Sequence, residues 1–349
     1  MASCQRASPD QQITNKNHPT PHEYLISYLS RLPTVKEVET WPLPEIIADR
    51  SRDGLKITTI HYQIYTTLSD PLILRQVPVF MESAFQSYCE IIGISLSPEK
   101  KLAVYLFGDR QQWEQFSSFW TQNLAPIYLK IKSGAYYLNG ACVAYHIGRK
   151  SNFSVLAHEG WHQFSDELFE LRLPAWLDEG IATNCEAFDW KNGRVIFDAR
   201  TNGARLMGLS HTLARDNFIP LSDLLSLDAG RVLSHISTTT DDAKTDPRIV
   251  AYYAQIYALT RFLREAGYGR YLYHFQTMVN DARLGQWRLE PQDRDEATQR
   301  EHNPSRRWNA KVGRQIFETY IASNLLDIEP AYRAFCRKIL ANVRFQKSP

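Results

Sequence analysis

Residues 155–164 read Val-Leu-Ala-His-Glu-Gly-Trp-His-Gln-Phe and contain an H-E-x-x-H motif formed by His158, Glu159 and His162. On a helix, the four-residue spacing puts both imidazoles on one face, so their ring nitrogens can converge on a single metal ion. Glu159 can then reach a water bound to that metal. The alternative interpretation is a pair of hydrogen-bonded histidines on a core helix. The apolar residues that predict burial of this helix are Val155, Leu156, Trp161 and Phe164.

A second segment, at 174–182, reads Pro-Ala-Trp-Leu-Asp-Glu-Gly-Ile-Ala and supplies the third protein ligand that a catalytic zinc site requires. Its proline suits the first turn of a helix predicted over 175–188, where the missing N–H costs nothing. Glu179 is the predicted ligand, because the small Gly180 and Ala182 beside it let two helices approach closely. Asp178 points about 100° away on the helical wheel and is interpreted as solvated or as a charge at the helix start.

Together, His158-Glu159-x-x-His162 and Trp176-Leu177-x-Glu179-Gly180-x-Ala182 resemble the motifs of the gluzincin zinc metallopeptidases. The resemblance is to the peptidase-MA-like bacterial families in particular, some of which are catalogued only as domains of unknown function. It is strongest over residues 134–187 and continues more weakly through 253–259 and the terminal helices. It implies that His158, His162 and Glu179 hold Zn²⁺ and that Glu159 is the general base for a zinc-activated water.

The resemblance also implies a tyrosine or histidine, further along the chain, that stabilises the oxyanion of the tetrahedral intermediate. Tyr253 is the candidate, and Tyr252 and Tyr257 compete with it. All three are equally compatible with a role as core aromatic residues of an amphipathic helix predicted over 249–265. His211 and His235 are weaker alternatives and are expected on the surface.

Departures from related patterns narrow the family and the substrate. Ser165 and Leu168 stand where metzincins have glycine and histidine, which excludes that family. Thr183 occupies the place of the acidic residue that supports a histidine in many gluzincins, and Glu186 is the candidate substitute. Aminopeptidases of this clan bind the substrate amine with an upstream glutamate, but no Asp or Glu occurs between residues 133 and 157. An endopeptidase, or an enzyme with another amine anchor, is therefore favoured.

The remaining pattern predicts an α+β fold, with a small mixed sheet and helices followed by a mostly helical zincin-type subdomain. Helices over 71–92 and 110–120 are expected on one side of the sheet, and a small second hairpin is expected at Asn192-Gly193. The segment 291–307 is almost wholly polar and is predicted to be an exposed loop or disordered. The predicted strands are 55–66, 101–107, 135–138 and 141–145, the last two joined by a type I′ turn at Asn139-Gly140. The remaining predicted helices are 153–169, 311–325 and 330–343.

This pattern divides the chain into a polar N-terminal tail (1–40), an α/β subdomain (41–150) and a mainly helical subdomain (151–349), with the active site at the junction. Within the second region, 134–145 is expected to supply an edge strand on which an extended peptide pairs. Tyr136 and Tyr137 would shape its side-chain pockets. The alternative is an ordinary hairpin within the sheet.

Composition excludes several classes of protein. The 40 Lys and Arg against 38 Asp and Glu give a net charge of +2, which disfavours a dedicated nucleic-acid binder. No stretch reaches the roughly 20 apolar residues of a transmembrane helix and no signal peptide is recognisable, so a cytoplasmic location is the default expectation. The alternative is an envelope lipoprotein anchored through Cys4, if translation starts upstream. Five cysteines without C-x-x-C spacing indicate neither a disulfide framework nor a cysteine zinc site.

The sequence thus predicts a zinc-dependent peptidase, an endopeptidase acting on peptides or proteins. The alternative is a catalytically silent domain that keeps the gluzincin fold to bind a protein or the cell envelope, although a pure scaffold has no use for Glu159 beside two ligands. Hydrolysis of a non-peptide bond is a third interpretation, because a metal and a base do not identify the scissile bond. No feature of the sequence indicates an oligomeric state.

Overall fold

A six-stranded mixed sheet and the helices packed on it form the fold in the computed structural model, which describes residues 20–131, 134–227, 246–299 and 305–341. The strands are β1 (Glu37–Trp41), β2 (Gly54–Thr58), β3 (Tyr62–Thr66), β4 (Leu102–Phe107), β5 (Ala135–Leu138), β6 (Ala141–Tyr145), β7 (Phe188–Lys191) and β8 (Arg194–Phe197). The helices before the second half of the chain are α1 (Pro21–Leu29), α2 (Pro71–Leu74), α3 (Gln76–Ile92), α4 (Arg110–Trp120), α5 (Ala125–Tyr128) and α6 (Arg149–Leu168). The later helices are α7 (Ala175–Cys185), α8 (Gly203–Ala214), α9 (Leu221–Leu224), α10 (Pro247–Glu265), α11 (Leu272–Arg283), α12 (Pro291–Thr298), α13 (Arg306–Tyr320) and α14 (Leu325–Ala341).

The sheet has the strand order β1-β2-β3-β4-β6-β5. Its outer pairs are antiparallel, whereas β4 runs parallel to both β3 and β6. Strand β5 lies at one edge of the sheet and pairs with β6, from which the chain continues into α6. Helices dominate after residue 148, with β7 and β8 as a separate hairpin. The α+β prediction of a mixed sheet followed by a mostly helical region is therefore confirmed.

Helices cover both faces of the sheet, so the expectation of helices on one side is wrong. Alternate residues of β4 point to opposite faces, as a pleated strand requires. Val104 and Leu106 belong to the large core that contains α3 and α6. Tyr105 and Phe107 pack instead against Phe116 of α4, with ring centroids 4.7 and 5.1 Å apart. The face of the sheet that α4 covers is aromatic as well as apolar. The helical periodicity of α4 does not reveal which face of the sheet this helix covers.

Two elements predicted as continuous are divided. The strand predicted over 55–66 is a hairpin of β2 and β3, because Glu82 of α3 accepts hydrogen bonds from Thr59 Oγ1 (2.6 Å) and from the His61 backbone N–H (2.8 Å) and so fixes a turn. The helix predicted over 71–92 is interrupted at Arg75. Pro78 explains this break, since its ring has no N–H for the Leu74 carbonyl and clashes with it in a continuous helix.

Described parts of two regions expected to lack structure are ordered. Residues 20–40, assigned to the polar tail, contain α1, which begins with a capping box between Thr20 and Glu23, and most of the edge strand β1. The loop predicted over 291–307 contains α12. Few of its residues are apolar, but Asp293 forms an ion pair with Lys311 and accepts, through its backbone carbonyl, a hydrogen bond from Trp308 Nε1 at 2.7 Å.

Two predictions fall on residues that the structure does not describe, namely the lipidation of Cys4 and the alternative role of His235. Among the described residues, none of the helices combines the length and the apolar character needed to cross a bilayer.

Candidate metal centre

Helix α6 carries the H-E-x-x-H motif and presents it to a cleft beside β5. Leu156, Trp161 and Phe164 are buried on its core side, as the apolar pattern predicts, whereas Val155 is only partly buried and lines the cleft. His158 and His162 project from the opposite side with ring centroids 5.1 Å apart. The i,i+4 spacing therefore places the two imidazoles one above the other, as expected.

Helix α7 brings Glu179 to the same place. Its Oε2 lies 3.3 Å from His158 Nε2 and 3.9 Å from His162 Nε2. One ligand atom from each of these three residues lies within 4.8 Å of the others, which is a separation that one metal ion can bridge. The structure thus brings together the three residues predicted as ligands.

Gly180 allows a close approach between two helices, as predicted, but the helix that lies close to α7 at this point is α10 and not α6. A Cβ atom on Gly180 would lie 2.5 Å from Thr260 Oγ1 and 3.1 Å from the Ile256 carbonyl oxygen. Glycine therefore lets α7 lie close on α10, and this contact fixes the position from which Glu179 extends.

The donor atoms fit a cation. Oε2 of Glu179 is buried and has no hydrogen-bond partner among the described residues. A carboxylate oxygen in that situation is costly unless a positive charge faces it. The two Nε2 atoms that face it are available as ligands, because Nδ1 of each ring is engaged elsewhere. These three residues could therefore hold a metal ion.

Asp178 supports His162. It lies in the first turn of α7, as one of its two interpretations has it, but the interpretation as a solvated charge is wrong. Its Oδ2 accepts a hydrogen bond from His162 Nδ1 at 2.9 Å, and its Oδ1 accepts one from Trp161 Nε1 at 2.8 Å. The side chain is only 27% exposed. The helical wheel gives the direction of Asp178 about the axis of α7, but it does not show that the His162 ring extends between the two neighbouring carboxylates.

Glu186 supports His158, as the sequence suggested in place of Thr183. Its Oε1 accepts a hydrogen bond from His158 Nδ1 at 3.0 Å. Its Oε2 accepts hydrogen bonds from Arg205 Nε and Asn202 Nδ2, both at 2.9 Å. Although burial opposes ionisation, the hydrogen bond from His158 and the charge and hydrogen bonds of Arg205 lower the pKa of Glu186 to about 2. Sequence reasoning missed Arg205 and Asn202, which belong to no motif.

Both imidazoles have raised pKa values in this ion-free arrangement. Burial lowers the pKa of His162, but the charge of Asp178, its hydrogen bond to the ring and the charge of Glu179 together outweigh burial and raise the pKa to about 9. Burial likewise opposes protonation of His158, and Glu179 and Glu186 beside it still raise the pKa well above its usual value. A metal ion must therefore displace protons when it binds.

Glu159 lies between α6 and the edge strand. Its Oε2 accepts a hydrogen bond from the backbone N–H of Tyr137 in β5 at 3.1 Å. Burial raises the pKa of Glu159, and His158 and His162 partly offset that effect. A carboxylate with a raised pKa beside a metal site is suited to accept and return a proton.

Strand β5 is an edge strand, as predicted, but only one of its two tyrosines faces the cleft. Tyr136 is buried on the opposite face of the sheet and donates a hydrogen bond to Ser117 Oγ at 2.9 Å, so its predicted role in a pocket is wrong. Tyr137 lines a cavity with Glu159 and His162 and donates a hydrogen bond to Asp166 at 2.6 Å. Successive side chains of a strand alternate between faces, which explains the difference.

Two cavities meet at Glu159. The polar cavity has a volume of about 260 Å³ and is lined by charged and aromatic side chains together with His162, Asp178 and Glu179. The apolar cavity has a volume of about 720 Å³ and is bounded by His158, Glu186 and Arg205 at its polar end. Its walls are formed by Val155, Ala204, Gly208, Ile249, Val250 and Ala254.

Tyr253 lines the apolar cavity with His158 and Glu159, whereas its two competitors do not. Tyr252 is fully buried, and Tyr257 donates its hydroxyl hydrogen bond to the Ala199 carbonyl at 2.6 Å. The guanidinium of Arg205 lies over the Tyr253 ring, 5.0 Å from its centroid. Burial, followed by the charge of Glu179, raises the pKa of Tyr253 well above its usual value, so the hydroxyl remains a proton donor.

His211 lies outside both cavities. It lines a separate small cavity with Arg215 and Pro247. At this position His211 does not contact the three candidate ligands. This agrees with the expectation that it is a weaker candidate than the tyrosines for stabilising the oxyanion.

Comparison with known proteins adds no relative. No protein-family model matches this chain, and no curated protein matches it. The geometry of the described residues therefore carries the functional argument.

Proposed function

We propose that this protein is a zinc-dependent peptidase of the gluzincin type, an endopeptidase with His158, His162 and Glu179 as zinc ligands and Glu159 as general base. The observation that carries the proposal is the convergence of two Nε2 atoms on a buried Glu179 oxygen for which the described part of the chain offers no hydrogen-bond partner. Glu159, the one acidic residue between the two histidines, stands beside them in the cleft.

Zinc is the metal that this donor set suits best. Two imidazole nitrogens and one carboxylate, with a further position left open, are the protein ligands of one class of catalytic zinc site. Each histidine also donates its other ring N–H to a carboxylate, Asp178 or Glu186, which is the usual arrangement behind a zinc-bound histidine.

The residues around the site support hydrolysis of a peptide bond. When bound, zinc supplies a Lewis acid that lowers the pKa of a water molecule and polarises the carbonyl. Glu159 accepts one proton from the attacking water, whose oxygen forms a bond to the carbonyl carbon. As the carbon–nitrogen bond breaks, Glu159 returns that proton to the leaving amine. The Tyr253 hydroxyl would donate a hydrogen bond to the carbonyl oxygen as negative charge develops there, and its presence in the same cavity as His158 and Glu159 supports this role.

The cleft favours an endopeptidase over an exopeptidase. Cavities extend from Glu159 in two directions, and Glu159 lines both. β5 is the outermost strand of the sheet and faces Glu159 through the Tyr137 N–H, so an extended peptide can add beside it and continue past the metal site on either side. No Asp or Glu from 134 to 157 is present to hold a terminal amine.

The test is cleavage of an unstructured protein such as casein, with the metal content of the purified protein measured in the same preparation. We expect zinc-dependent cleavage that a chelator abolishes. Glu159→Gln should retain zinc and lose cleavage, because the amide cannot accept the proton. Glu167→Gln, on an exposed turn of the same helix, is the matched control and should cleave normally. Cleavage by Glu159→Gln, or a zinc-loaded wild type that cleaves nothing, would refute the proposal, and the latter result would favour a binding domain.

A further inference from the structure

One part of the protein surface exposes several apolar side chains and is bordered by positive charge. It consists of residues 119–131, from the end of α4 through α5, and is named the α4–α5 corner. We infer that the α4–α5 corner docks on an anionic lipid membrane. This inference assigns an interaction surface and does not rest on the proposed peptidase function.

Three large apolar side chains of the α4–α5 corner face solvent. Phe119 is 62% exposed, Leu124 is 44% exposed and Ile127 is 64% exposed. Helix α5 contacts both α4 and the turn at 122–124, so the three residues belong to one small area. Single exposed apolar residues are ordinary, but a group of them marks a surface that contacts a protein or a membrane.

The sequence around the α4–α5 corner carries positive charge and no negative charge. No Asp or Glu occurs from 115 to 158, whereas four Lys or Arg residues occur there. Three of these four, Lys130, Arg149 and Lys150, are exposed. None of the three has an ion-pair partner in the part of the chain that the structure describes. Their charge is therefore available to a partner.

The start of α6, which carries two of these cations, lies beside the α4–α5 corner. A Cβ atom on Gly134 would be 3.7 Å from Ile131 Cγ2 and 4.0 Å from Val155 Cγ1, so the end of the corner lies close to α6. Lys150 precedes Val155 by five residues, which is about 7.5 Å along the helix. This rise is comparable to the Debye length of about 8 Å at physiological ionic strength, so the charges at 149–150 contribute to the electrostatic potential at the corner.

The acidic side chains at the border of the α4–α5 corner are engaged by other residues. Glu114 forms an ion pair with Arg110 at 2.6 Å. Asp166 and Glu167 both accept hydrogen bonds from the Tyr137 hydroxyl, at 2.6 and 3.4 Å. The corner thus combines exposed apolar side chains with unpaired cations, and an anionic bilayer surface attracts both.

A second copy of this chain suits the α4–α5 corner less well than a bilayer does. A symmetric dimer would bring the same patch of two subunits together, and each set of cations would face its own counterpart. A bilayer instead offers hydrocarbon to the apolar side chains and anionic headgroups to Lys and Arg. The half-buried Trp120 and Tyr128 also belong to the corner, and aromatic rings of this kind favour the headgroup level.

Docking at the α4–α5 corner would set the cleft beside the membrane. Tyr128 of α5 lines the polar cavity, and Ile131 lines the apolar cavity. The corner therefore forms part of the rim of the candidate metal centre.

The first experiment measures binding of the full chain to lipid vesicles by co-sedimentation. One set of vesicles contains phosphatidylcholine and phosphatidylglycerol, and the other contains phosphatidylcholine alone. We expect at least about tenfold tighter binding to the anionic set, since each cation near the surface contributes about fivefold. This difference should disappear in about 1 M NaCl, where the Debye length is about 3 Å. No binding to either set, or equal binding to both, would overturn the inference.

The second experiment changes the α4–α5 corner. Ile127→Asp removes an apolar group and adds a negative charge, so it should weaken binding to the anionic vesicles by at least about tenfold. Leu326→Asp makes a similar change at an exposed position of α14 and is the matched control, which should bind as the wild type does. Phe119→Ser provides a second variant if Ile127→Asp does not fold. Wild-type binding by these corner variants in folded form, or an equal loss in Leu326→Asp, would refute the assignment.

Two further measurements separate this inference from its alternatives. In sedimentation velocity without lipid, the wild type and Ile127→Asp should have the same mass. A dimer that Ile127→Asp dissociates would assign the α4–α5 corner to a second copy and overturn the inference. Casein cleavage is measured separately, and a zinc-loaded wild type that binds anionic vesicles but cleaves nothing would refute the peptidase proposal while supporting the membrane surface.

Discussion

Asp178 accepts a hydrogen bond from Nδ1 of His162 at 2.9 Å, while its chain neighbour Glu179 faces Nε2 of the same ring at 3.9 Å. Two consecutive carboxylates of α7 thus face opposite edges of one imidazole. Glu186 and Glu179 face the two edges of the His158 ring in the same way. Each ring is fixed in orientation by the carboxylate at its Nδ1, so its Nε2 points towards the place where a metal ion could bind once the proton on that nitrogen is displaced.

Removing the charge behind either histidine should weaken metal binding. Asp178→Asn keeps the side-chain shape but replaces a charged acceptor with a neutral one, and we expect a loss of about 10- to 100-fold in zinc affinity. Glu186→Gln should have a similar effect through His158. Competition with a chromophoric chelator measures both. Asp189→Asn, an exposed change on β7, should bind zinc as the wild type does. Wild-type affinity in both supporting variants would contradict the assigned roles.

Zinc affinity should rise with pH until the imidazole protons are gone. Because the pKa of His162 is raised to about 9 in the ion-free site, zinc must displace a proton from this ring at any pH below that value. The apparent affinity should therefore increase between about pH 6.5 and about pH 8.5 by roughly tenfold per unit for each displaced proton. Asp178→Asn removes the main influence that raises this pKa, so its affinity should level off at a lower pH. The same chelator competition at several pH values checks both expectations. A wild-type affinity that does not change with pH would contradict the first, and parallel pH profiles of the wild type and Asp178→Asn would contradict the second.

Features set by neighbouring residues along the chain could be predicted from the sequence. The hairpins at Asn139-Gly140 and Asn192-Gly193 form as expected, with all four residues at positive φ between 50° and 79°. Helix α6 could be predicted from the spacing of its apolar residues, and helix α7, which carries Glu179, from Pro174 at its start. These signals are short in range, so a single chain is enough to interpret them.

Features set by distant residues could not be predicted. The turn between β2 and β3 depends on Glu82, more than 20 positions from Thr59 and His61. The support of His162 by Asp178 depends on how α6 and α7 cross, and the support of Glu186 by Arg205 depends on the position of α8. No periodicity in the sequence encodes a crossing angle, so Asp178 and Arg205 appear as supporting residues only in the folded chain, whereas Glu186 could be suggested from its position after Glu179.

The Tyr88 hydroxyl should be the reason why position 160, inside the H-E-x-x-H motif, requires a glycine. Tyr88 Oη donates a hydrogen bond to the Ala157 carbonyl at 2.7 Å, and a Cβ atom on Gly160 would lie 2.6 Å from that oxygen. Gly160→Ala should therefore lower the free energy of unfolding by about 1–3 kcal/mol. In a Tyr88→Phe background the next ring atom is 3.5 Å from that Cβ, and the same change should be neutral or stabilising by up to about 1 kcal/mol.

The coupling between positions 160 and 88 is measured by urea denaturation of the wild type, Gly160→Ala, Tyr88→Phe and the double variant. A chelator is present, so bound metal makes no contribution to stability. Tyr88→Phe alone should cost about 1 kcal/mol for the lost hydrogen bond. If Gly160→Ala costs the same with tyrosine and with phenylalanine at position 88, the hydroxyl is not the group that excludes a side chain. The cause would then lie elsewhere in the packing of α3 on α6.

Tyr253 should act on the rate of hydrolysis and not on metal binding. Tyr253→Phe removes only the hydroxyl and keeps the ring that covers Arg205, so the hydrogen bonds from Arg205 to Glu186 should persist. If the hydroxyl stabilises the developing oxyanion, kcat should fall by about 10²- to 10³-fold while zinc affinity and KM change little. Tyr257→Phe, on the same helix, removes a hydroxyl that donates to Ala199 outside the cleft, and it should leave kcat near the wild-type value. A Tyr253→Phe enzyme with unchanged kcat would leave zinc as the stabiliser of the oxyanion, and one that loses zinc would show that Tyr253 serves the metal site through Arg205 instead.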